Sequence, residues 1–209
     1  CKHAEVARRM STADAIQNIS DWLMEQGLSE GDYGELLSEF CGRLNDAGIH
    51  VNRSMMAMRT LHPTIDARGF IWQRGEELDM ENFTTDRGPT DAFLQSPLAY
   101  LLDNRDILEV HRPLTGANAV LDFPVLEELK DGGATDYLIR KVPFRVASLQ
   151  GYESGMLISW TSDAPEGFSE SCLTALRRLA PRLALVMNNR LLREITINVL
   201  DTYVGHQAG

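Results

Sequence analysis

Positive charge is in short supply in this sequence. Only 20 Lys and Arg residues stand against 30 Asp and Glu, for a formal net charge of −10 over 209 residues. A protein that grips a nucleic-acid backbone needs a positive footprint, so this balance argues against nucleic acid as a partner. It argues equally against docking on an anionic membrane surface. Cysteine is scarce too: Cys1, Cys41 and Cys172 are odd in number and far apart, with no C-x-x-C pair. No disulfide framework follows from that spacing, which points to a reducing compartment. No basic segment leads into an apolar core near the N-terminus, as a secretory signal would require. The compact apolar stretch "LALVM" near the C-terminus is far too short to span a bilayer. The expected location is therefore the cytoplasm, with no membrane partner.

The common catalytic signatures are missing as well. No G-x-x-x-x-G-K-[ST] loop cradles a phosphate, and no G-x-G-x-x-G opens a helix after a strand. No G-x-S-x-G elbow presents a serine, and no H-E-x-x-H pair offers metal ligands. The two glycines of "DGGATDY" suit a helix-to-strand turn, because no helix N-terminus follows to hold an anion. No nucleophile and base are paired at a recognisable spacing, so no catalytic residues are assigned.

What is present describes an ordinary globular chain, 44% hydrophobic and 24% charged. Ser11 and Asp14 form a capping pair, after which Ile16, Ile19, Trp22 and Leu23 share one helical face. Gly27 and Gly31 bracket a break. Leu36, Leu37, Phe40, Cys41 and Leu44 then mark a second helix that stops near Gly48. From there the period changes: "VNRSMMAMRTL" and "GFIWQRG" read as strands joined by the turn-rich "HPTIDAR". The polar, acidic stretch 76–90 reads as a loop. "SPLAYLLDN" is a short helix with Pro97 in its first turn. "DILEVHRPL" is a third strand, with Leu108 and Val110 facing opposite to Ile107 and His111.

"FPVLEELKDGG" is a short helix, "TDYLIRKVPF" a fourth strand, and "GYESGMLISWTS" a turn followed by a fifth. A long helix then runs from Ser169, its cap, with Phe168 and Leu173 as a hydrophobic staple and Pro181 expected to kink or divide it. The fold class predicted is α+β: a central antiparallel sheet of about five strands flanked by helices, with a long C-terminal helix.

Of the five histidines, His3 and His206 lie in the terminal segments and His50 follows a helix-ending glycine. His62 is held before a proline, and His111 sits mid-strand. These last two are candidate haem or metal ligands, with a hydrogen-bonded structural role as the alternative. No second ligand stands at diagnostic spacing, so no metal site is assigned. Trp72, Tyr100, His111, Tyr137 and Trp160 are the candidates for lining a ligand pocket, with core packing as the competing explanation for the aromatics.

The segments "LNDAGIHVNRSMMAMRTLHP", "ARGFIWQRG", "DFPVLEELKDGGATDYLIRKVPF" and "EGFSESCLTALRRLAPRLALVM", continuing through "LLREITINVLDTYVGHQAG", carry a resemblance. Together and in this order they resemble the N-terminal region of bacterial class III adenylate/guanylate cyclases, notably those of alphaproteobacteria. The resemblance implies a GAF-like small-molecule-sensing domain placed before a cyclase domain. Under it, residues 1–30 form an N-terminal helix, 31–187 the GAF-like sensor, and 188–209 an output helix and junction toward a catalytic domain outside this chain. The start at Cys1 fits an origin as part of a longer protein. The metal-binding aspartates of the cyclase fold would lie beyond the junction, so this chain is expected to lack cyclase activity while its parent is a phosphorus-oxygen lyase.

The N-K-x-F-D-E pattern of cyclic-nucleotide-binding GAF domains is absent, and the ligand and any cofactor are left unidentified. Class III cyclase sites form between two catalytic domains, so the resemblance also implies a homodimer held through the C-terminal helices. Two other readings stay open: a ligand-free dimerisation scaffold, and a haem or metal sensor using His62 or His111.

Overall fold

A computed structural model describes residues 12–59, 67–83, 90–144 and 155–204. Two helices come first. α1 (Thr12–Gln26) buries Ile19, Ser20, Trp22 and Leu23. α2 (Tyr33–Asp46) buries Leu36, Leu37, Phe40, Cys41 and Leu44, the three-and-four spacing visible in the sequence. Asp32 caps α2, accepting from the backbone N–H groups of Gly34 and Glu35 at 2.7 and 3.0 Å. The helix closes at Gly48, whose φ of 81° is open to glycine and strained for other residues. The Ser11 cap predicted for α1, the turn "HPTIDAR" up to Asp66, and the turn before the last strand fall outside the described residues.

Among the described residues six strands form one sheet: β1 (Arg53–Arg59), β2 (Ala67–Gln73), β3 (Asp79–Phe83), β4 (Glu109–Pro113), β5 (Asp136–Pro143) and β6 (Gly155–Ser162). Their order is β3-β2-β1-β6-β5-β4, antiparallel throughout. The strand absent from the sequence reading is β3, which lies in the acidic stretch expected to be a loop. Three of its five residues, the Asp, Glu and Asn of "DMENF", disfavour a strand; the open edge of β2 supplies the ladder that holds them. β4 begins only at Glu109, so Ile107 precedes it and packs in the same cluster as Val110, not opposite to it.

Short helices fill the crossovers: α3 (Asp91–Leu94), α4 (Pro97–Asp103) and α5 (Pro124–Asp131). The long α6 (Glu170–Val204) is one uninterrupted helix of 35 residues, about 50 Å at 1.5 Å per residue. Pro181 does not divide it. The proline is exposed, where a missing backbone hydrogen bond faces water, and Arg182 Nη1 donates to the nearby Arg178 carbonyl at 2.6 Å. Ser169 caps α6 through the Cys172 N–H at 3.3 Å, and both staple residues, Phe168 and Leu173, are buried.

The sheet has two unlike faces. The proximal face packs on α1, α2 and α6 around Phe40, Leu44, Met56, Ile158, Leu179 and Leu183, all fully buried. The distal face is covered on its β4–β5–β6 half by a smaller cluster from α4 and α5, centred on Leu101, Leu126 and Ile139. Over β1 and β2 the distal-face residues Met55, Ala57 and Ile71 are only partly buried and belong to neither cluster. Polar ties fix the Asn189–Glu194 stretch of α6. Asn189 Nδ2 donates to the Gly27 carbonyl (2.7 Å), Arg190 Nη1 donates to the Asp32 carbonyl (2.6 Å), and Glu194 accepts from Tyr33 (2.8 Å) and Arg68 (2.9 Å).

Candidate functional site

Strand register decides which side chains can meet. On the proximal face one row of neighbours runs across the sheet as Trp72, Ser54, Trp160, Leu138 and His111. The next row over, on the distal face, reads Gln73, Arg53, Thr161, Tyr137 and Arg112. A one-residue step along a strand moves a side chain from one face to the other. The five pocket candidates of the sequence are thereby separated. Trp72 and Trp160 are buried in the core beneath the helices, and the Trp160 indole N–H finds no acceptor among the described residues. Tyr137 is buried on the opposite face. Tyr100 is exposed on α4, in edge contact with Phe123 over a separate surface cleft of about 370 Å³ that also includes Asp103 and Asp122.

His111 stands on the proximal face at the β4 edge. Its Nε2 lies 2.9 Å from Oδ1 of Asp136, a carboxylate only 3% exposed. Asp136 also accepts from the backbone N–H groups of Tyr137 (2.9 Å) and Phe168 (2.8 Å). A Cβ on Gly167, whose φ is +67°, would lie 2.7 Å from Asp136 Oδ2, so this turn admits the carboxylate because it carries no side chain. The arrangement is a polar clasp between β4, β5 and the turn leading into α6. No group of three or more His, Cys, Asp or Glu among the described residues is placed to hold a metal ion. His62 lies outside those residues.

The distal row opens into a cleft of about 420 Å³ between the sheet and α5. Its floor is Asn52, Arg53, Gln73 and Thr161, and its apolar wall is Val125 and Leu129. Two arginines line it, in different circumstances. Arg74 is fully engaged: Nη1 meets Asp163 at 2.9 Å, and Nη2 donates to the Val51 carbonyl at 2.6 Å. Arg53 is half-buried, and its guanidinium donates no hydrogen bond to any described residue. Burial lowers its pKa; the opposing electrostatic influence comes from the Tyr137 phenol, with no carboxylate contributing. Burial in turn pushes the Tyr137 hydroxyl well above the ordinary tyrosine value, against the smaller effects of Ser159 and Arg53.

Thr161 Oγ1 donates to Asn52 Oδ1 at 2.6 Å, which leaves the Asn52 amide donors directed elsewhere. Arg53 does not stand out by residue type, because a charge in a strand ordinarily marks the solvent side. The alternation in "NRSMMAM" held the signal: Arg53, Met55 and Ala57 share one face.

Elsewhere, Cys41 is fully buried and its thiol pKa is raised by that burial, which makes it inert as a nucleophile. No helix among the described residues is long and apolar enough to cross a membrane.

No protein-family model and no curated protein matches the chain. Solved structures do match. The phycoerythrobilin-bound GAF domain of a cyanobacterial phytochrome superposes with a TM-score of 0.53 at 13% identity, over 87% of this chain and 99% of that one. The phycocyanobilin-bound GAF domain of a cyanobacterial phytochrome gives 0.51 at 14% identity, over 88% and 97%. At such identities the likeness is one of fold, and the fold is the GAF fold.

Proposed function

We propose that this chain is a regulatory GAF-type module that senses a small molecule and dimerises. In this reading it lies ahead of an adenylate cyclase catalytic domain in a cytoplasmic protein and controls cAMP synthesis. The observation that carries the reading is the continuity between cleft and helix. Thr161 on the cleft floor belongs to β6, and Asp163 at the cleft rim begins the turn that leads directly into α6. A ligand that pulls on Thr161 or the Arg74–Asp163 pair acts on the base of a 35-residue helix. It can bias the output only if it binds two arrangements of that helix with different affinity.

Dimerisation is assigned to the outer stripe of α6. Pro181, Leu185 and Leu192 recur there at four- and seven-residue spacing and are exposed, Leu185 at 60%. Paired α6 helices would deliver two catalytic domains to each other. The sequence resemblance places the domain boundaries at 30/31 and 187/188; the second of these falls inside the uninterrupted α6.

Mass spectrometry of small molecules released from the denatured pure protein, together with thermal shift across a metabolite panel, tests the sensing. A bound ligand raises apparent stability by mass action. An empty protein with no shift on any compound would leave a dimerisation scaffold in its place. Light scattering that finds only monomers at high concentration would remove the dimer. The link to cAMP is tested in the full-length protein, where substitutions on the cleft floor should alter cyclase output without abolishing it.

A further inference from the structure

Resting on the sensing reading above, we infer that the cleft beneath α5 takes a small organic carboxylate, with its anionic head on Arg53 and Asn52 and its apolar body against Val125 and Leu129. A guanidinium carries five N–H donors in a planar fork and ordinarily meets a carboxylate when drawn out of water. Arg53 is half withdrawn from water on the sheet floor and meets no carboxylate among the described residues. The other ionised groups lining the cleft are accounted for. Arg74 and Asp163 neutralise each other through contacts of 2.9 and 3.2 Å, and Glu128 lines the α5 side, where its side chain is exposed.

The site thus holds one unspent positive charge, with a carboxylate at the opposite wall. That favours a single negative charge located at the Arg53 end over a doubly charged ligand. Donors converge at that end. Asn52 Oδ1 is held by Thr161 Oγ1 at 2.6 Å, so its amide N–H groups are the free side of that residue, next in sequence to Arg53. Apart from Glu128, whose side chain is exposed, the facing wall is apolar: Val125, Leu129 and Ala134. Polar donors at one end and an apolar wall across from them describe an amphiphilic monoanion.

The probes are benzoate and 4-methylvalerate, with benzamide as the neutral counterpart of the first, titrated into the whole chain by calorimetry. Saturable binding of a carboxylate is expected, with benzamide bound at least tenfold more weakly. Loss of a charge-assisted contact in Arg53→Gln should weaken the carboxylate roughly tenfold to a hundredfold. Asn52→Asp is the second variant: it keeps the oxygen that Thr161 donates to and sets a negative charge beside Arg53, so it should weaken binding as much. Circular dichroism checks that each variant is folded; should Arg53→Gln fail to fold, Asn52→Asp decides.

Absence of saturable binding up to about 10 mM, equal affinity for benzamide, or unchanged affinity in a folded variant would each overturn the inference. A neutral molecule that co-purifies and binds both variants as well as the parent would overturn it while leaving the sensing reading intact. A protein that carries nothing and responds to no compound would remove both.

Discussion

Asp136 shows how much one buried carboxylate can hold. It takes backbone N–H groups from Tyr137 and Phe168 and the Nε2 of His111, so β4, β5 and the start of α6 converge on two oxygens. Asp136→Asn removes the charge and replaces one acceptor oxygen with a donor, leaving an N–H group without a partner. The expected loss is about 1–3 kcal/mol of unfolding free energy, read from urea denaturation. A value near zero would mean that water satisfies the turn instead.

Glu109 is the other residue whose surroundings set its chemistry. Burial pushes its carboxyl pKa up, but hydrogen bonds from Arg177 and Arg140, at 2.8 and 2.6 Å, together with their charges hold it below the ordinary glutamate value. A lowered folded-state pKa stabilises the protein above the unfolded pKa, about 4.3, and that contribution is lost as pH falls through the folded value. Glu109→Gln should therefore be less stable than the parent at pH 7, and the gap should narrow below about pH 4. Urea midpoints that differ equally at both pH values would sink the assignment.

At the scale of elements, whatever depends on nearby residues could be read directly from the sequence. The apolar face of α2, the Ser169 cap and the Phe168–Leu173 staple all depend on positions within a turn or two. β3 was not legible, because "DMENF" gains its conformation from β2, not from its own residues. The pocket candidates illustrate a second limit. Trp72, Trp160 and Tyr137 are alike in composition, yet register sends two beneath the helices and one to the distal face. Arg53 is the converse, a residue with no distinction in the sequence until Thr161 and α5 are brought beside it.

The exposed stripe of α6 makes its own prediction. Leu185→Glu adds a charge at a position already 60% exposed, so the melting temperature of the monomer should change little. If paired α6 helices form the dimer, light scattering should show dissociation at concentrations where the parent remains associated. A variant as dimeric as the parent would move the interface elsewhere.

For the molecule as a whole, the order β3-β2-β1-β6-β5-β4 ranks the strands by protection. β1 and β6 have partners on both sides and lie over the larger core, whereas β3 and β4 each have one neighbour among the described residues. Hydrogen exchange should be slowest in β1 and β6 and fastest in β3, an edge strand that also carries Asp, Glu and Asn. Uniform protection across the six strands would show that the sheet opens only as a unit.

The same strand order has a bearing on biosynthesis. The two innermost strands are the first and the last to be made, and Ser54 Oγ reaches the Ser159 carbonyl across a sequence separation of 105. While the ribosome works through the intervening chain, β1 and its neighbours present an unpaired edge and the methionine-rich underside of β1 to solvent. Loop closure over that span must come before the central ladder forms, which makes assembly slow compared with a sheet of successive hairpins. The nascent protein is thus most exposed to aggregation until Gly155–Ser162 emerges, and it would rely most on chaperones during that interval.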